Sequence, residues 1–364
     1  MHVMVAPALA FIVSPHGFGH ASRACAVIEA LGSRRLELRF EIFTTVPPWF
    51  FAQSLTVPHA VHPEEVDVGL VQRTPLEADL DATISRLDEL MAATGPTVDR
   101  LATWFRRLGC RLAVSDIAPL GIAAAHRAGL PAVLVENFTW DWIYRPLGCA
   151  CPRLEEHGRA LRRLFATADL RVQTRPVCER IQGAVEVPPI SRQARLDGAT
   201  VRRRLRVDAE SPLALVSMGG IAWQPGELGA LRRLDRCRAV VVGVGTEPTA
   251  DGSLVTLPFD SPFYHPDLVA AADLVVAKLG YSTVAEAYHA GVDLAYVARP
   301  SFPESAVLAQ FVRAEMEGWE ISAEEVVAGR WAEEMRKSPS GRARGRERVN
   351  GADQAASRIL ELLG

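Results

Sequence analysis

The sequence has no excess of positive charge, and this absence limits the partners that the protein can have. Its 40 Lys and Arg residues are outnumbered by 43 Asp and Glu residues, which gives a formal net charge of −3. A protein that holds nucleic acid or an anionic membrane through its overall field needs the opposite balance. We therefore expect no nucleic-acid partner, and any anionic ligand must be bound by local groups.

The sequence also lacks paired cysteines and long apolar runs. Its six cysteines are scattered, and the close pair Cys149 and Cys151 has the spacing of neither a metal site nor a redox motif. No apolar run reaches the ~18 residues of a transmembrane helix, and no Lys or Arg precedes the first apolar stretch as in a cleavable signal. We expect a cytoplasmic protein with reduced thiols and no transmembrane segment. The basic stretch 336–348 is interpreted as a polar connector, with peripheral contact to a membrane surface as the alternative.

What the sequence does contain is a repeated alternation of strands and helices. The apolar run Phe11–Val13 leads through glycines into a segment with helical spacing, and about 200 residues later Leu213–Ser217 leads into Met218-Gly219-Gly220. This alternation predicts an α/β protein with parallel sheets and crossover helices. Further strands are predicted at 40–44, 112–115, 132–135, 239–244, 274–277 and 294–297.

The length of the chain indicates two domains. A chain of 364 residues is too long for one ordinary core and fits two domains of roughly 150–200 residues. Pro188 and Pro189 lack backbone donors and stiffen an extended link. We therefore place one Rossmann-like domain at 1–187 and another at 188–350. The closing helix, 353–363, has one apolar face, and the first domain is the surface on which we expect it to pack.

The loop His16-Gly17-Phe18-Gly19-His20 separates the first strand from the first helix. Free N–H groups at a helix start carry partial positive charge, and glycines let a phosphate or sugar approach the backbone. Ser22 stands where the dinucleotide fingerprint has its third glycine, which excludes a nicotinamide enzyme. The positive helix end favours a neutral imidazole, so His20 is the predicted general base. The alternatives are that His20 caps the helix or forms a hydrogen bond to a neighbouring loop, and that His16 is structural.

Asp116 ends a second strand of the same half. Ligands of parallel sheets lie outside the carboxyl ends of the strands, so Asp116 can face the His20 loop and orient its imidazole. It can equally cap the helix that starts near Leu120. Farther along, Asn137, Trp140 and Asp141 form a polar and aromatic strip after a buried strand, and an aromatic face can pack on a sugar ring.

In the second half, the segment His265–Ala287 reads as a helix, a buried strand and a glycine turn that opens another helix. Hydroxyls of Ser282 and Thr283 with adjacent N–H groups would hold a diphosphate, and Glu286 could accept both hydroxyls of a ribose. Thr283 and Glu286 also have the spacing of a capping box, which needs no ligand. Lys278 before the turn is interpreted as solvated.

These stretches together resemble the GT-B glycosyltransferases. The 282–286 turn is similar to the donor-nucleotide motif of the transferase that adds N-acetylglucosamine in peptidoglycan synthesis. More closely, the amino-terminal glycosyltransferase-like half of L-arabinokinases and its stand-alone bacterial relatives are matched by five segments: SPHGFGHASR (14–23), DVGLVQ (67–72), VSDIAPL (114–120), ENFTWDWIY (136–144) and AKLGYSTVAEA (277–287). The element Gly17–Arg23 is also shared with the nucleotide-sugar hydrolase of pseudaminic acid synthesis.

The resemblance implies two Rossmann-like domains whose parallel sheets face each other across a cleft, with the acceptor on the amino-terminal side and the nucleotide sugar in the carboxyl-terminal domain. The kinase half of arabinokinases is absent from this chain, so no sugar-kinase activity is implied. The implied contacts are Gly219, Gly220, Gly280, Ser282, Thr283 and Glu286 for the nucleotide, Glu304 and Ser305 for the donor sugar, and His16, Gly17, Gly19, Arg23, Asn137, Trp140 and Asp141 for the acceptor or its loop.

The function implied is transfer of a sugar from a nucleoside diphosphate sugar to an acceptor hydroxyl with inversion, with His20 as base and Asp116 as its support. UDP is the nucleotide we expect, and the acceptor is left undefined. No tightly bound metal is expected, although Mg²⁺ can accompany the free nucleotide. The alternatives are a nucleotide-sugar hydrolase or epimerase on the same fold and a non-catalytic nucleotide-sugar-binding module.

Overall fold

The computed structural model describes residues 7–74, 76–148, 151–220, 225–235, 237–335 and 348–363. The chain is an α/β protein whose residues divide into two compact units. The first unit comprises Met1–Arg73, Ala78–Ser191 and Asn350–Gly364, and the second comprises Thr74–Glu77 and Arg192–Val349. The chain passes from the first unit to the second after Ser191, four residues beyond the position expected from the two prolines.

The first unit contains a seven-stranded sheet with helices between its strands. Its elements, together with the small β4–β5 pair, are β1 (Ala8–Val13), α1 (Gly19–Arg34), β2 (Arg39–Phe43), α2 (Pro48–Ser54), β3 (His59–His62), β4 (Gln72–Thr74), β5 (Glu77–Ala78), α3 (Leu80–Ala92), α4 (Thr94–Arg107), β6 (Cys110–Asp116), α5 (Pro119–Ala128), β7 (Ala132–Glu136), α6 (Trp140–Gly148), α7 (Pro152–Phe165), β8 (Leu170–Thr174) and β9 (Val185–Val187).

The strand order of the first sheet is β3-β2-β1-β6-β7-β8-β9, and its strand pairs are parallel. The chain winds outward from β1 in one direction and continues from β6 in the other. In sheets of this kind, ligands bind at the point where the winding reverses, outside the carboxyl ends of the two strands. Val13 of β1 pairs with Asp116 of β6, so both strands end at this point.

The last described helix, α14 (Gly351–Glu361), belongs to the first unit. Its apolar residues Ala352, Ala355, Ala356 and Ile359 lie in the same buried cluster as those of α1, β1 and β2. Asn350 caps this helix, and its side-chain amide donates to the Ser191 carbonyl at 2.7 Å. The chain therefore returns to the first unit at the place where it left.

The second unit contains another seven-stranded sheet. Its elements are α8 (Gly198–Leu205), β10 (Leu213–Ser217), a 3₁₀ helix (Pro225–Arg233), β11 (Arg238–Val242), β12 (Thr249–Asp251), β13 (Leu254–Leu257), α9 (His265–Ala271), β14 (Leu274–Lys278), α10 (Tyr281–Ala290), β15 (Asp293–Val297), α11 (Glu304–Glu315), β16 (Gly318–Glu320), α12 (Ala323–Ala328) and α13 (Trp331–Met335).

The order of the second sheet is β12-β13-β11-β10-β14-β15-β16, and its strands are parallel apart from the β12–β13 pair. The winding reverses between β10 and β14, which end together because Ser217 pairs with Ala277. Gly17 and Gly219, after the first strand of each sheet, both have a left-handed backbone with φ of +70° and +71°. The predicted repeat of strand, glycine turn and helix is thus present in both units, although the second occurrence opens a 3₁₀ helix.

The structure also bears on the predictions about membrane spans and cysteines. In the described residues no helix is long and apolar enough to cross a membrane. Five cysteines are free thiols, and Cys149 lies outside the described residues, as does most of the basic stretch at 336–347. The helix that follows the glycine turn of the second sheet is the 3₁₀ helix Pro225–Arg233.

Candidate active site

The first unit places His20 at the start of α1, directly after the glycine loop. The N-cap of this helix is Phe18, which supplies no capping side chain, so the first N–H groups of α1 have no side-chain cap. His20 is therefore not the cap, which was one alternative. The His20 side chain keeps 10% of its surface exposed.

The structure brings His20 and Asp116 together. The distance from His20 Nδ1 to Asp116 Oδ1 is 2.9 Å, and the Asp116 side chain is 2% exposed. Asp116 does not cap the following helix, whose N-cap is Ala118 without a side-chain hydrogen bond. The contact between the two predicted residues is present, while their catalytic roles stay predictions.

Arg23 completes this cluster. Its Nε donates to Asp116 Oδ2 at 2.7 Å, and its Nη2 donates to Asp116 Oδ1 at 2.6 Å. Its Nη1 donates to Asn137 Oδ1, and the Asn137 amide donates to the Thr174 carbonyl at 2.6 Å. A fork of this kind fixes a carboxylate in one orientation. Arg23, expected only as part of the loop, therefore holds Asp116 in place beneath His20.

The charges of the cluster settle which nitrogen of His20 can accept a proton. Burial alone would raise the pKa of Asp116, but the charge of Arg23 and the hydrogen bonds from His20 and Arg23 hold that pKa below its usual value. Asp116 is therefore an ionised acceptor, and the Nδ1 of His20 must carry a hydrogen to bond with it. Burial also lowers the pKa of His20 below 6.5, with Asp116 opposing and Arg23 adding to the effect. Near pH 7 the ring is neutral and its Nε2 has a free lone pair.

The predicted helix-end effect is therefore not the main cause of this neutrality. We expected the positive end of α1 to disfavour the imidazolium, whereas the largest cause is removal of the ring from water. A charged Arg23 within 3.3 Å of the ring acts in the same direction. The protonation state of His20 follows from the packing of the whole cluster.

The segment 67–70 packs against the loop and holds His16. The Leu70 N–H donates to His16 Nδ1 at 3.3 Å, and the His16 ring meets Trp140 edge to face at 5.1 Å. Gly69 has φ of +68°, and a Cβ there would lie 2.8–2.9 Å from His16. These contacts favour the structural interpretation of His16.

Asp67 anchors the same segment, and the sequence alone did not single it out. It accepts from Trp140 Nε1 at 2.6 Å and from the Val68 N–H at 2.9 Å, and Ser14 also bonds to it. Burial raises the pKa of Asp67 to about 7 against these hydrogen bonds. In the sequence, the feature that pointed to Asp67 was its position in the DVGLVQ segment, one of the five that resemble L-arabinokinases.

Trp140 and Asp141, predicted for the acceptor or its loop, are both bonded to protein groups. Trp140 is 1% exposed and its N–H is bonded to Asp67, so no open ring face is left for a sugar. Asp141 is one position along α6, and its carboxylate accepts from Arg162 Nε at 2.9 Å, in a cavity that Phe165 and Arg171 also line. Adjacent helical positions point in different directions, so only Trp140 reaches the His20 cluster.

The second unit has its own uncapped helix start, at α10. The N-cap is Gly280, which has no side chain, and the first backbone bond of the helix runs from Val284 N to Gly280 O. The N–H groups before Val284 thus have no acceptor within the helix. Ser282 and Thr283 lie in this turn, half-buried, and their hydroxyls form no hydrogen bond to other described residues. The predicted capping box of Thr283 and Glu286 is absent because the helix begins earlier, at Tyr281.

Lys278 and Gly219 lie next to this helix start. Lys278 ends β14, and a Cβ on Gly219 would lie 2.8 Å from Lys278 Cε and 3.3 Å from Nζ. The side chain therefore lies along the turn after β10 and is not freely solvated as we interpreted it. Burial lowers the pKa of Lys278 to about 7. Gly220 follows at the same turn and is half-buried.

Glu286 is already bonded to protein groups. Its Oε1 accepts from Arg192 Nε at 3.0 Å, and its Oε2 is 2.8 Å from His265 Nδ1. Burial would raise the pKa of Glu286, but Arg192 and His265 hold it below its usual value, so the carboxylate is charged. The prediction treated this carboxylate as free for ribose. A ribose hydroxyl could bond to Glu286 only through the carboxylate lone pairs that do not already accept from Arg192 and His265.

Glu304 and Ser305, predicted to contact the donor sugar, begin α11. Ser305 Oγ accepts from the Arg299 N–H at 2.8 Å, which is a bond of the turn itself. Glu304 Oε1 accepts from Arg299 Nη2 at 2.9 Å, while Oε2 is buried and has no hydrogen-bond partner in the described part of the chain. Of the two residues, Glu304 has the atom that a sugar hydroxyl could satisfy.

The fold of the chain was compared with those of known proteins. The chain has the GT-B fold, which it shares with solved glycosyltransferases. The calicheamicin glycosyltransferase CalG4 superposes with a TM-score of 0.64 at 16% identity, covering 99% of each chain. UGT2 of Phytolacca americana, solved with UDP-2-fluoro-glucose and pterostilbene, gives 0.61 at 12% identity over 98% of this chain and all of its own. MurG of Acinetobacter baumannii gives 0.51 at 16% identity over 98% and 99%.

A curated relative agrees with these structures. L-arabinokinase of Arabidopsis thaliana is 25% identical over 364 residues, which is 97% of this chain and 34% of that protein. The chain thus spans about a third of the length of this relative. No family model matches the sequence. The predicted resemblance to L-arabinokinases and to GT-B glycosyltransferases is confirmed, and so is the predicted fold class.

Proposed function

We propose that the protein transfers a sugar from a nucleoside diphosphate sugar to an acceptor hydroxyl, with inversion at the anomeric carbon. The observation that carries this proposal is the neutral His20, bonded through Nδ1 to an ionised Asp116 at the point where the winding of the first sheet reverses. This arrangement supplies a proton acceptor at Nε2, which is what attack by a hydroxyl requires.

The transfer proceeds in a single displacement. His20 Nε2 takes the acceptor proton while the acceptor oxygen bonds to the anomeric carbon, and the bond from that carbon to the diphosphate breaks with its electron pair on the phosphate. Asp116 stabilises the imidazolium that forms, and Arg23 keeps Asp116 oriented. Because Arg23 is itself positive, it limits how basic His20 becomes.

The second unit holds the donor. The uncapped N–H groups of α10, the hydroxyls of Ser282 and Thr283 and the turn at Gly219 and Gly220 surround a place suited to a diphosphate. Hydrogen-bond donors placed where charge develops on a leaving group typically lower the activation barrier by ~3 kcal/mol each. Glu286 is assigned to the ribose and Glu304 Oε2 to the donor sugar. UDP is the nucleotide we propose first, since UGT2 was solved with a UDP sugar.

A donor screen tests the proposal. The protein is incubated with UDP-, dTDP-, GDP- and CDP-sugars, with and without an acceptor panel, and nucleotide release is measured. Acceptor-dependent release supports transfer. Free sugar released without acceptor would show a hydrolase, rearranged nucleotide sugar would show an epimerase, and binding without turnover of any pair would show a non-catalytic module.

The substitution His20→Ala separates catalysis from binding. Loss of a positioned base lowers turnover by roughly 10²- to 10⁴-fold. Because His20 belongs to the first unit and the nucleotide is assigned to the second, the thermal shift given by the nucleotide should be unchanged. His126→Ala, which removes a histidine from the exposed end of α5, is the control and should keep full turnover. Equal turnover of His20→Ala and wild type would remove His20 from the mechanism.

We further propose that no tightly bound metal is needed. Lys278 and the N–H groups of α10 supply positive charge to the leaving group, and Mg²⁺ serves only as a companion of the free nucleotide. Turnover should therefore persist in EDTA. Its loss in EDTA and return on addition of Mg²⁺ would contradict this assignment.

A further inference from the structure

Lys278 has no counter-charge of its own. Its amino group forms no hydrogen bond or ion pair with any residue in the described ranges, although the side chain is half-buried and lies along Gly219. The sequence contains two lysines, Lys278 and Lys337, and 38 arginines. An arginine cannot lose its proton in a protein, whereas a lysine in a poorly solvated place can. The side chain at position 278 can therefore change between neutral and charged, whereas the 38 arginines of this chain stay charged.

The neighbouring charges explain why Lys278 is left unpaired. Glu304 is the acid whose charge acts on Lys278, but Arg299 already donates to Glu304 Oε1 at 2.9 Å. Burial lowers the pKa of Lys278, Arg299 lowers it further, and Glu304 raises it. Arg299 and Glu304 cancel each other, so a proton on Lys278 adds a net charge to a poorly hydrated place. An anion arriving there would supply the missing counter-charge.

The groups around the ammonium suit a diphosphate in particular. Lys278 ends β14, the strand that leads into α10, and its side chain lies along the turn at Gly219. The hydroxyls of Ser282 and Thr283 at the start of α10 form no hydrogen bond with other described residues. Glycine at 219 leaves the turn without a Cβ beside Nζ. A single anionic group contacting both turns and the lysine needs several acceptor oxygens, which a diphosphate has.

We propose that Lys278 binds the diphosphate of the donor and takes up a proton as the diphosphate arrives, so that the second unit couples nucleotide binding to protonation. The neutral amine of the free protein accepts one proton from solvent and becomes the ammonium that pairs with the phosphate oxygens. No other bond forms or breaks. This inference rests on the proposed function, because it assumes that the nucleotide binds at α10.

Calorimetry with UDP at pH 8 tests the coupling. The binding heat is measured in buffers with different ionisation enthalpies, and its slope gives the number of protons taken up. At this pH the UDP phosphates are already ionised, since the second phosphate pKa is about 6. The Lys278 pKa of about 7 leaves most of the free protein neutral at this position. Wild type should take up close to one proton for each UDP bound.

Two variants define the role of the side chain. Lys278→Met should abolish the proton uptake and weaken UDP at least tenfold, because the counter-charge is lost. Lys337→Met, which removes the other lysine, should leave both quantities unchanged. UDP binding by wild type with no proton uptake, or uptake that survives in Lys278→Met, would overturn the proposed coupling and leave the proposed function intact. If none of UDP, dTDP, GDP and CDP binds, the proposed function fails together with this inference.

A direct titration guards against a folding defect in Lys278→Met. Reductive ¹³C-methylation labels only the two lysines and the terminal amine, so the Lys278 signal can be assigned by its absence from Lys278→Met. In the free protein this signal should titrate well below that of Lys337, and saturating UDP should move it upward. Two lysine signals that titrate together, with and without UDP, would overturn the proposal.

Discussion

At the residue scale, the cluster around Arg23 shows how burial controls chemistry. The Asp116 carboxylate accepts hydrogen bonds from both Arg23 and His20. His20 stays neutral because burial and the charge of Arg23 both disfavour the imidazolium. The geometry leaves Nε2 of His20 as the atom that can take a proton. This arrangement has consequences for stability and for pH dependence.

Removing Arg23 should destabilise the first unit. Arg23→Met leaves Asp116 buried without its main partner, and breaking a buried pair in this way costs about 3–5 kcal/mol. The free energy of unfolding is measured by denaturant titration. The matched control is Arg34→Met on the same helix, whose exposed pair with Asp353 at 3.2 Å should contribute at most about 1 kcal/mol. Similar losses in the two variants would show that Arg23 does not hold a buried charge.

The pH profile of turnover should follow His20. Because its pKa is below 6.5, kcat/KM should rise with pH, with a midpoint below 6.5, and level off at neutral pH. The lowered pKa also means that the unfolded chain binds this proton more tightly. The stability contribution is therefore present above pH 6.5 and is lost as the pH falls through the folded-state value. A midpoint above 7 would contradict a neutral His20 as the base.

At the element scale, the start of α10 combines poor capping with an open approach. Gly280 has extended dihedrals, φ −153° and ψ 147°, and a Cβ there would meet nothing within 4 Å. Nothing in the backbone requires glycine, so the lack of a side chain keeps the N–H groups available. An open helix start that contributes little to stability is typical of a ligand site.

Gly280→Asp should increase stability and reduce nucleotide affinity. An aspartate at the N-cap bonds to the free N–H groups and stabilises the helix by a few tenths of a kcal/mol up to about 1 kcal/mol. The same carboxylate occupies and repels the diphosphate, so UDP binding should weaken at least tenfold. Cys151→Asp, at the uncapped start of α7, is the control that should change stability alone. Unchanged UDP affinity in Gly280→Asp would place the nucleotide elsewhere.

The elements also show what the sequence could predict. Apolar runs located the central strands to within three residues at either end, because a strand buried on both faces needs a continuous apolar run. Leu170–Thr174 was missed since it alternates apolar and polar residues in a short span. The spacing of Thr283 and Glu286 suggested a cap, but the helix starts at Tyr281, a boundary that depends on tertiary contacts.

At the scale of the whole molecule, the repeated winding of the two sheets was predictable, and so was the meeting of His20 and Asp116. His20 follows β1 and Asp116 ends β6, and these neighbouring parallel strands have their carboxyl ends at the same edge of the sheet. The contact between Glu286 and Arg192 was not predictable, because the two residues are 94 positions apart and no sequence motif links them. The inward turn of Trp140 likewise depends on Asp67, which is 73 positions away.

The return of α14 to the first unit predicts a measurable stabilisation. Ile359 is fully buried beside α1, and truncating a buried isoleucine costs about 2–5 kcal/mol. Ile359→Ala should lower the free energy of unfolding by this amount. Leu362→Ala, at a residue 37% exposed near the end of the same helix, should cost much less. Equal costs would indicate that the helix is not packed on the first unit.

The bond between Asn350 and Ser191 makes the second unit an insert within the first. The polypeptide departs and re-enters at adjacent points, so a short glycine linker could join position 191 to position 350 and omit everything between them. Such a shortened gene would encode the His20 cluster together with its closing helix and without the second unit, so this cluster could be assayed apart from the residues proposed to hold the nucleotide.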